Sequence, residues 1–218
     1  MIRGASPMVK KVFSIIIPSV VDSPPTLQSL PSEEDLISMG GELIVVRDRW
    51  RNASRARNIG AAVARGSVFC FIDDDAAFNF SELYDYIKKS WDNPNVFFWS
   101  DAPHILIVSS EVFFRAGGYD ERHPVRGAEA VEIRERLKSM GYELRMLDIP
   151  LKHLRDTWDR EHALAANKSL TWTYITYHYL PLRKVLWRKH PIELARRWLW
   201  ALEWILVRRH MKRSIFYR

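Results

Sequence analysis

The chain has very little cysteine: Cys70 is the only one among its 218 residues. A single cysteine excludes an internal disulfide, so a reducing compartment is the simpler assumption. Cys70 lies inside the apolar run 68–72, which predicts a buried small hydrophobic side chain rather than a reactive thiol.

Long apolar segments are also missing. The first residues, Met1 to Pro7, contain no stretch of signal-peptide length. Near the other end, the longest uninterrupted apolar stretch within 192–207 is well short of the ~20 residues that a membrane span requires. We therefore expect a protein that stays in the cytoplasm and does not cross a membrane.

Net positive charge is absent from most of the chain and concentrated near its end. The formal net charge is +7, yet residues 180–218 alone hold eleven Lys or Arg against two Glu. The rest of the chain is therefore slightly acidic, and this basic segment is the part to consider for binding nucleic acid or a membrane.

The composition, 47% hydrophobic and 27% charged, is that of a globular protein, and the length suits one sizeable α/β domain. The first elements alternate between β-branched apolar runs and helical spacing: strand 11–19, helix 33–39, strand 42–46, helix 52–65 stopped by Gly66, and strand 67–72. Later we expect helices over 80–90 and 127–140, and strands over 95–100, 105–108, 143–147 and 151–153. This order predicts an α/β fold, a doubly wound and mostly parallel sheet flanked by helices, with ligands beyond the carboxyl ends of its strands.

Three consecutive aspartates follow the buried strand 67–72, at the place where such a sheet binds ligands. Adjacent carboxylates repel one another, and a hard divalent cation offsets that cost. In an extended segment, alternation sends Asp73 and Asp75 to one side and Asp74 to the other. The pattern therefore predicts that Asp73 and Asp75 hold Mg²⁺ or Mn²⁺; the alternative is a solvated acidic turn.

Several motifs occur in an order that resembles the family 2 glycosyltransferases of the GT-A fold. The family pattern is an Ala-Arg-Asn-x-Gly helix, a glycine, a strand and Asp-x-Asp, followed by a Gly-Gly-Phe-Asp-Glu segment, an acidic-pair helix and a late histidine. The matching segments here are 56–66, 68–75, 110–120, 127–137 and 151–153. The resemblance covers about residues 11–160, and we therefore assign residues 1–165 to a GT-A catalytic domain and 166–218 to a helical extension.

The resemblance implies transfer of a sugar, with inversion, from a nucleotide diphosphate-sugar to a hydroxyl acceptor, with Mn²⁺ or Mg²⁺ as cofactor. It places His153 with Asp73 and Asp75 around the metal. The nucleotide-sugar would be bound by residues at the strand ends and on the second helix: Pro18, Ser19, Asp48, Arg57, Asn58, Asp73 and Asp74.

Two positions depart from the family pattern. The second strand keeps only Asp48 of the usual acidic pair, which leaves the base preference open. The Glu-Asp pair, whose aspartate is the family's general base, here reads Glu129-Ala130. Since an inverting transfer needs a carboxylate beside the acceptor hydroxyl, Glu129 is the first candidate base and Glu132, one turn further along the helix, is the second.

The basic extension contains five of the nine tryptophans, together with Pro191 at a favourable helix start. Trp with Lys and Arg is typical of a helix that lies on an anionic membrane surface, which would suit a lipid-linked acceptor. The alternative is a helix packed on the catalytic domain. A nucleic-acid partner is not expected, because no nucleic-acid-binding motif accompanies the charge.

Two other functions remain open at this point. A nucleotidyltransferase uses a similar sheet, carboxylates and a metal, but ordinarily has a Gly-rich loop after the first strand, and residues 18–25 contain no glycine. A non-catalytic membrane-associated scaffold derived from a glycosyltransferase is favoured by Ala130. The sugar, the base, the acceptor and the oligomeric state do not follow from the sequence.

Overall fold

The structure, a computed structural model, describes residues 12–49, 52–100, 103–122, 128–154, 199, 206 and 214–216. The strands are β1 (Phe13–Ser19), β2 (Gly41–Arg47), β3 (Val68–Ile72), β4 (Ala76–Ala77), β5 (Val96–Ser100), β6 (Ile105–Ser109), β7 (Glu143–Met146) and β8 (Lys152–His153). The helices are α1 (Glu33–Ser38), α2 (Ala53–Val63), α3 (Phe80–Asp92), α4 (Ser110–Arg115) and α5 (Ala128–Ser139), with a 3-10 helix at Pro25–Ser29.

Six strands form one mixed sheet in the order β2-β1-β3-β6-β5-β7, and β4 pairs with β8 in a separate two-stranded sheet. Within the larger sheet β1 is parallel to β2 and β3, β5 is parallel to β7, and β6 runs antiparallel to both of its neighbours. The predicted α/β class, mostly parallel and flanked by helices, is confirmed. Because β6 runs antiparallel to β3, it begins at the edge of the sheet where β3 ends.

Alternate residues of the central strands enter two cores, one on each face of the sheet. Ile15 and Ile17 of β1 pack with Cys70 of β3 in one cluster, whereas Ile16 packs with Phe69 in the other. A strand covered on both faces needs apolar residues at every position, which explains the continuous apolar runs. Burial raises the pKa of the Cys70 thiol, as expected for an unreactive core cysteine.

Polar side chains cap several of the helices that they precede. Ser32 accepts a hydrogen bond from the Asp35 backbone, Asn52 does so before α2, and Asn79 does so before α3. Each cap satisfies a backbone N–H that the first helical turn leaves without a partner. The starts of α1, α2 and α3 therefore follow from local sequence.

Gly66 does not end α2, contrary to the sequence expectation. The helix stops at Val63, and its cap residue Ala64 is already extended. A Cβ at Gly66 would lie 2.5 Å from the backbone nitrogen of Ser14, and the Gly66 N–H donates to the Ser14 hydroxyl. The glycine is needed because the chain passes directly over β1 there.

The basic extension lies almost entirely outside the described residues, and so does its predicted interfacial helix. Leu199 and Leu206 are exposed helical positions, and Ser214–Phe216 lie against the domain. No helix among the described residues is both long enough and apolar enough to span a bilayer.

Gly66→Ala should lower the free energy of unfolding by about 2–3 kcal/mol, because any Cβ there overlaps backbone atoms that cannot move aside. Gly66→Asn should be at least as damaging.

Gly141 is the matched control: its φ is +91°, and no atom lies within 4 Å of an added Cβ. Gly141→Ala should cost about 1–2 kcal/mol from backbone strain, and Gly141→Asn clearly less, since Asn enters the left-handed region more readily. Urea unfolding measures all four variants, and a Gly66→Ala protein as stable as Gly141→Asn would contradict this explanation.

Candidate functional site

The ends of three neighbouring strands meet at one edge of the sheet. Ser19 ends β1, Asp48 follows β2 and the three aspartates follow β3. The Asp48 N–H donates to the Ser19 carbonyl at 2.7 Å, and the Ser19 hydroxyl lies 2.8 Å from Asp74 Oδ2. Pro18 is buried in β1 opposite Val46. The structure thus brings Pro18, Ser19, Asp48 and Asp74 together at the edge where the fold class places ligands.

The three aspartates lie in a tight turn, and the expectation of an extended, alternating segment was wrong. The Ala76 N–H approaches the Asp73 carbonyl at 3.4 Å, and β4 begins immediately afterwards. In a turn, side-chain direction is set by the neighbours that each residue meets, so alternation does not apply. Each aspartate has its own partner: Arg57 for Asp73, Ser19 for Asp74 and His153 for Asp75.

Thr26, in the 3-10 helix after β1, holds this turn through hydrogen bonds to its backbone. Its buried hydroxyl lies 2.7 Å from the Asp73 carbonyl and accepts the Ala76 N–H at 2.7 Å, while its own N–H donates to the Asp74 carbonyl. Sequence reasoning missed Thr26, because nothing local marks one threonine in a loop as the partner of a turn 47 positions away.

A buried guanidinium joins two of the predicted site carboxylates. Arg57 of α2 donates through Nη2 to Asp73 Oδ1 at 2.6 Å and through Nη1 to Glu129 Oε1 at 3.2 Å. Arg57 and Glu129 are both 3% exposed. Arg57 is one of the residues predicted to bind the nucleotide-sugar, and in the structure its Nη1 and Nη2 both donate to carboxylates of the protein itself.

The two carboxylates that contact Arg57 have pKa values shifted in opposite directions. Burial by itself would raise the pKa of Asp73, but Arg57, His104 and the His104 N–H hold that pKa below its ordinary value. Burial also acts on Glu129, and there Arg57 offsets it only in part, so the pKa of Glu129 is raised. Glu129 Oε2 is buried and accepts no hydrogen bond from any residue that the structure describes.

Asp75 lies beside His153, with Oδ1 and Nδ1 3.3 Å apart. The pairing of β4 with β8 sets this contact, because Ala76 is opposite His153 in the ladder. Burial, together with the charges of Asp73 and Asp74, raises the pKa of Asp75, while His153 opposes the shift. No group of three or more His, Cys, Asp or Glu side chains in the described part of the chain could hold a metal by itself.

His104 and Tyr119 surround Asp73, and sequence reasoning singled out neither residue. The His104 N–H donates to Asp73 Oδ2 at 3.0 Å, and its Nε2 lies 2.9 Å from the Tyr119 hydroxyl. The Arg57 guanidinium carbon lies 5.0 Å from the Tyr119 ring centre, a cation–π contact. Tyr119 occupies the aromatic position of the Gly-Gly-Phe-Asp-Glu segment, which is the signal that could have pointed to it.

Asn58 faces away from the predicted nucleotide. It is fully buried, and its amide pairs with the Tyr119 backbone in both directions, accepting the Tyr119 N–H at 2.9 Å and donating to the Tyr119 carbonyl at 3.0 Å. Direct contact with a nucleotide does not agree with this arrangement. Asn58 instead holds the turn that carries Tyr119.

Glu132, the second candidate base, is bound by Arg136. Arg136 Nε and Nη2 lie 3.0 and 2.8 Å from its two carboxylate oxygens, and all these groups are buried. Arg136 also donates to the carbonyls of Ala116 and Gly118. The geometry makes Glu132 part of the support for the turn after α4, whereas Glu129 is the glutamate linked through Arg57 to the aspartates.

Residues 19–116 match the model of Glycosyl transferase family 2. The structure is similar to the catalytic domain of Drosophila beta1,4galactosyltransferase 7 in complex with xylobiose, with 16% identity, a TM-score of 0.53, and coverage of 71% of this chain and 79% of that one. A mutant of the same Drosophila enzyme in complex with manganese, UDP-Gal and xylobiose gives 16% identity, a TM-score of 0.52, and 70% and 78% coverage. A comparison with curated proteins finds no match.

At this identity the structural likeness establishes the fold, and the family match adds the class of enzyme. The Asp73–Asp75 turn and the Arg57 helix both fall within the matched residues 19–116. The match of residues 19–116 to Glycosyl transferase family 2 and the shared sheet together support a glycosyltransferase with the GT-A fold.

Proposed function

We propose that the protein transfers a sugar from a nucleoside diphosphate-sugar to a hydroxyl acceptor, with a divalent metal bound at Asp75 and His153. The observation that carries the proposal is the approach of these two side chains within 3.3 Å, beside the strand ends that hold Ser19 and Asp48. A carboxylate and an imidazole from distant parts of the chain meet there at the ligand-binding edge of the sheet.

The donor atoms at this place fit Mn²⁺ or Mg²⁺. Neighbouring ligands of an octahedral ion with bonds of about 2.1 Å are about 3 Å apart, close to the observed separation of Asp75 Oδ1 and His153 Nδ1. Such ions commonly take one or two protein carboxylates and complete their shell with phosphate oxygens and water. A bound ion would neutralise the charge that develops on the leaving diphosphate.

Asp73 differs from Asp75 because both of its oxygens already accept hydrogen bonds, from Arg57 and from the His104 N–H. We propose that Asp73 keeps its charge and faces the ribose and diphosphate side of the donor, whereas Asp75 binds the ion. Pro18, Ser19, Asp48 and Asp74 would line the nucleotide side of the same edge.

Glu129 is proposed as the general base. Its Oε2 has no hydrogen-bond partner among the described residues, and its raised pKa makes it a stronger proton acceptor than an exposed glutamate. Glu129 would take the proton of the acceptor hydroxyl as that oxygen bonds to the anomeric carbon. The bond from this carbon to the diphosphate breaks, the diphosphate leaves with the electron pair, and the configuration at the carbon inverts.

Asp75→Asn should weaken metal-dependent nucleotide binding at least about tenfold. Isothermal titration with UDP, GDP and dTDP, with and without Mn²⁺, should show one nucleotide whose binding requires the metal. UDP with Mn²⁺ is the first combination to try, because a chain of the same fold was crystallised with manganese and UDP-Gal. Asp85→Asn, on the exposed side of α3, is the matched control. Binding of no nucleotide under any condition would contradict the proposal and favour the non-catalytic scaffold.

Glu129→Gln should lower kcat by about a hundredfold or more while nucleotide binding is retained, since a general base contributes about 10²–10⁴-fold. Glu132→Gln should mainly lower stability, because it takes a charged partner from buried Arg136. Single-turnover assays with the donor identified by titration would separate the two glutamates. If instead Glu132→Gln alone abolished turnover, the base would be Glu132.

We propose further that the basic extension binds an anionic membrane surface and that the acceptor is lipid-linked. Residues 155–213 begin after Leu154, whose N–H donates to the Asp75 carbonyl, and end before Ser214, which contacts Asn58. The described residues on either side of 155–213, the range that contains most of the basic extension, therefore lie near the site. A membrane bound by this stretch would be close to the transfer chemistry.

The full chain should cosediment with vesicles that contain anionic lipid at low salt, and much less with zwitterionic vesicles or at high salt, because exposed charge attraction is screened. A protein that remains in the supernatant with anionic vesicles at low salt would contradict membrane binding and leave packing on the domain as the role of the extension.

A further inference from the structure

The short segment Ser214–Phe216 packs against the catalytic domain far from its place in the sequence. Ser214 is fully buried, with its hydroxyl 3.2 Å from Asn58 Nδ2. The Ile215 N–H donates to Glu121 Oε1 at 2.9 Å, and the same oxygen lies 2.8 Å from Asn58 Nδ2. Segment 214–216 thus joins a polar cluster that includes a residue of the family motif on α2.

Phe216 fixes the segment by aromatic packing. Its ring meets Phe114 and Phe113 of α4 nearly edge-on, with centroid distances of 5.1 and 6.1 Å. A Cβ at Gly118 would lie 2.6 Å from Phe216 Cδ2 and 2.7 Å from Asn58 Oδ1. Gly118, with φ of +69°, therefore leaves room for Phe216 and Asn58 on the turn that leads to Tyr119.

The turn that segment 214–216 covers leads directly into the site. Tyr119 is bound at its backbone by Asn58, its ring lies under the Arg57 guanidinium, and its hydroxyl contacts His104. Arg57 and His104 are the two residues that hold Asp73. A displacement of the turn would reach the Asp73 and Glu129 carboxylates through contacts between adjacent buried groups.

We propose that segment 214–216 is a positioning element of the transfer site: by covering the Gly118–Glu121 turn it keeps Tyr119, and through Tyr119 the Arg57 bridge, in the geometry that transfer requires. The proposal rests on the function proposed above. It extends the catalytic unit beyond residue 165, to a segment that no motif marks.

The test compares Phe216→Ala with Phe216→Leu and with Ile37→Ala, a control outside the segment, in the full chain. Phe216→Ala removes the ring contacts, and we expect kcat to fall about tenfold, since small misplacements of reacting groups cost one to two orders of magnitude. The nucleotide affinity should fall less than kcat, because the proposed metal ligands Asp75 and His153 lie outside the series of contacts that leads from Phe216 to Asp73. Phe216→Leu should recover most of kcat, and Ile37→Ala should match wild type, since the Ile37 side chain is 62% exposed on α1.

Hydrogen exchange provides a readout that does not depend on the chemistry. The Tyr119 amide, which donates to Asn58, should exchange faster in Phe216→Ala than in wild type or Ile37→Ala, at a temperature where all variants remain folded. Unchanged exchange at Tyr119, or a Phe216→Ala enzyme with the kcat of an active wild type, would overturn the positioning role. A wild type without turnover, but with faster exchange in Phe216→Ala, would support the structural coupling and refute the proposed function instead.

Discussion

The ion bridge from Arg57 to Asp73 and Glu129 is the interaction on which the rest of the site depends. The Arg57 guanidinium and the Glu129 carboxylate are withdrawn from water there, while the Asp73 side chain remains 26% exposed, and removal of Arg57 or Glu129 would leave a buried charge without its partner. The bridge links α2, the turn after β3 and the first turn of α5, so the placement of three elements is coupled to one side chain. Tyr119 and His104 enclose it and limit the ways in which Arg57 can move.

The helix α2 supports this bridge because three of its motif residues point in different directions. Arg57 reaches the aspartates, Asn58 binds the Tyr119 turn, and Gly60 lies so close to β1 that a Cβ would come within 2.4 Å of Ile16 Cγ2. Successive helical positions are rotated by about 100°, so neighbouring residues serve separate surfaces. The Ala-Arg-Asn-x-Gly pattern is thus explained here by packing and support, with no direct contact to a nucleotide required.

Much of the fold could be predicted because its signals are local. The apolar runs of β1 and β3 and the caps Ser32, Asn52 and Asn79 lie within the elements that they define. The errors arose where a neighbour distant in sequence decides the conformation. Gly66 was interpreted as a helix stop although β1 passes beneath it, and the aspartates were treated as extended although Thr26 holds them in a turn. Helix α4 was not predicted, because it follows β6 with no loop between them and no local signal separates the helix from the strand.

By itself, the sequence determined the succession of strands and helices and the position of three carboxylates after a buried strand. Those features depend on periodicity and capping over a few residues. Only the tertiary structure decided which ionisable side chains are paired. Arg57 meets Asp73 and Glu129 across 16 and 72 sequence positions, and Asp75 meets His153 across 78. The physical reason is that a buried charged side chain needs a hydrogen-bond partner within about 3 Å. The packing of strands and helices supplies that partner, and a linear sequence pattern does not encode the distance.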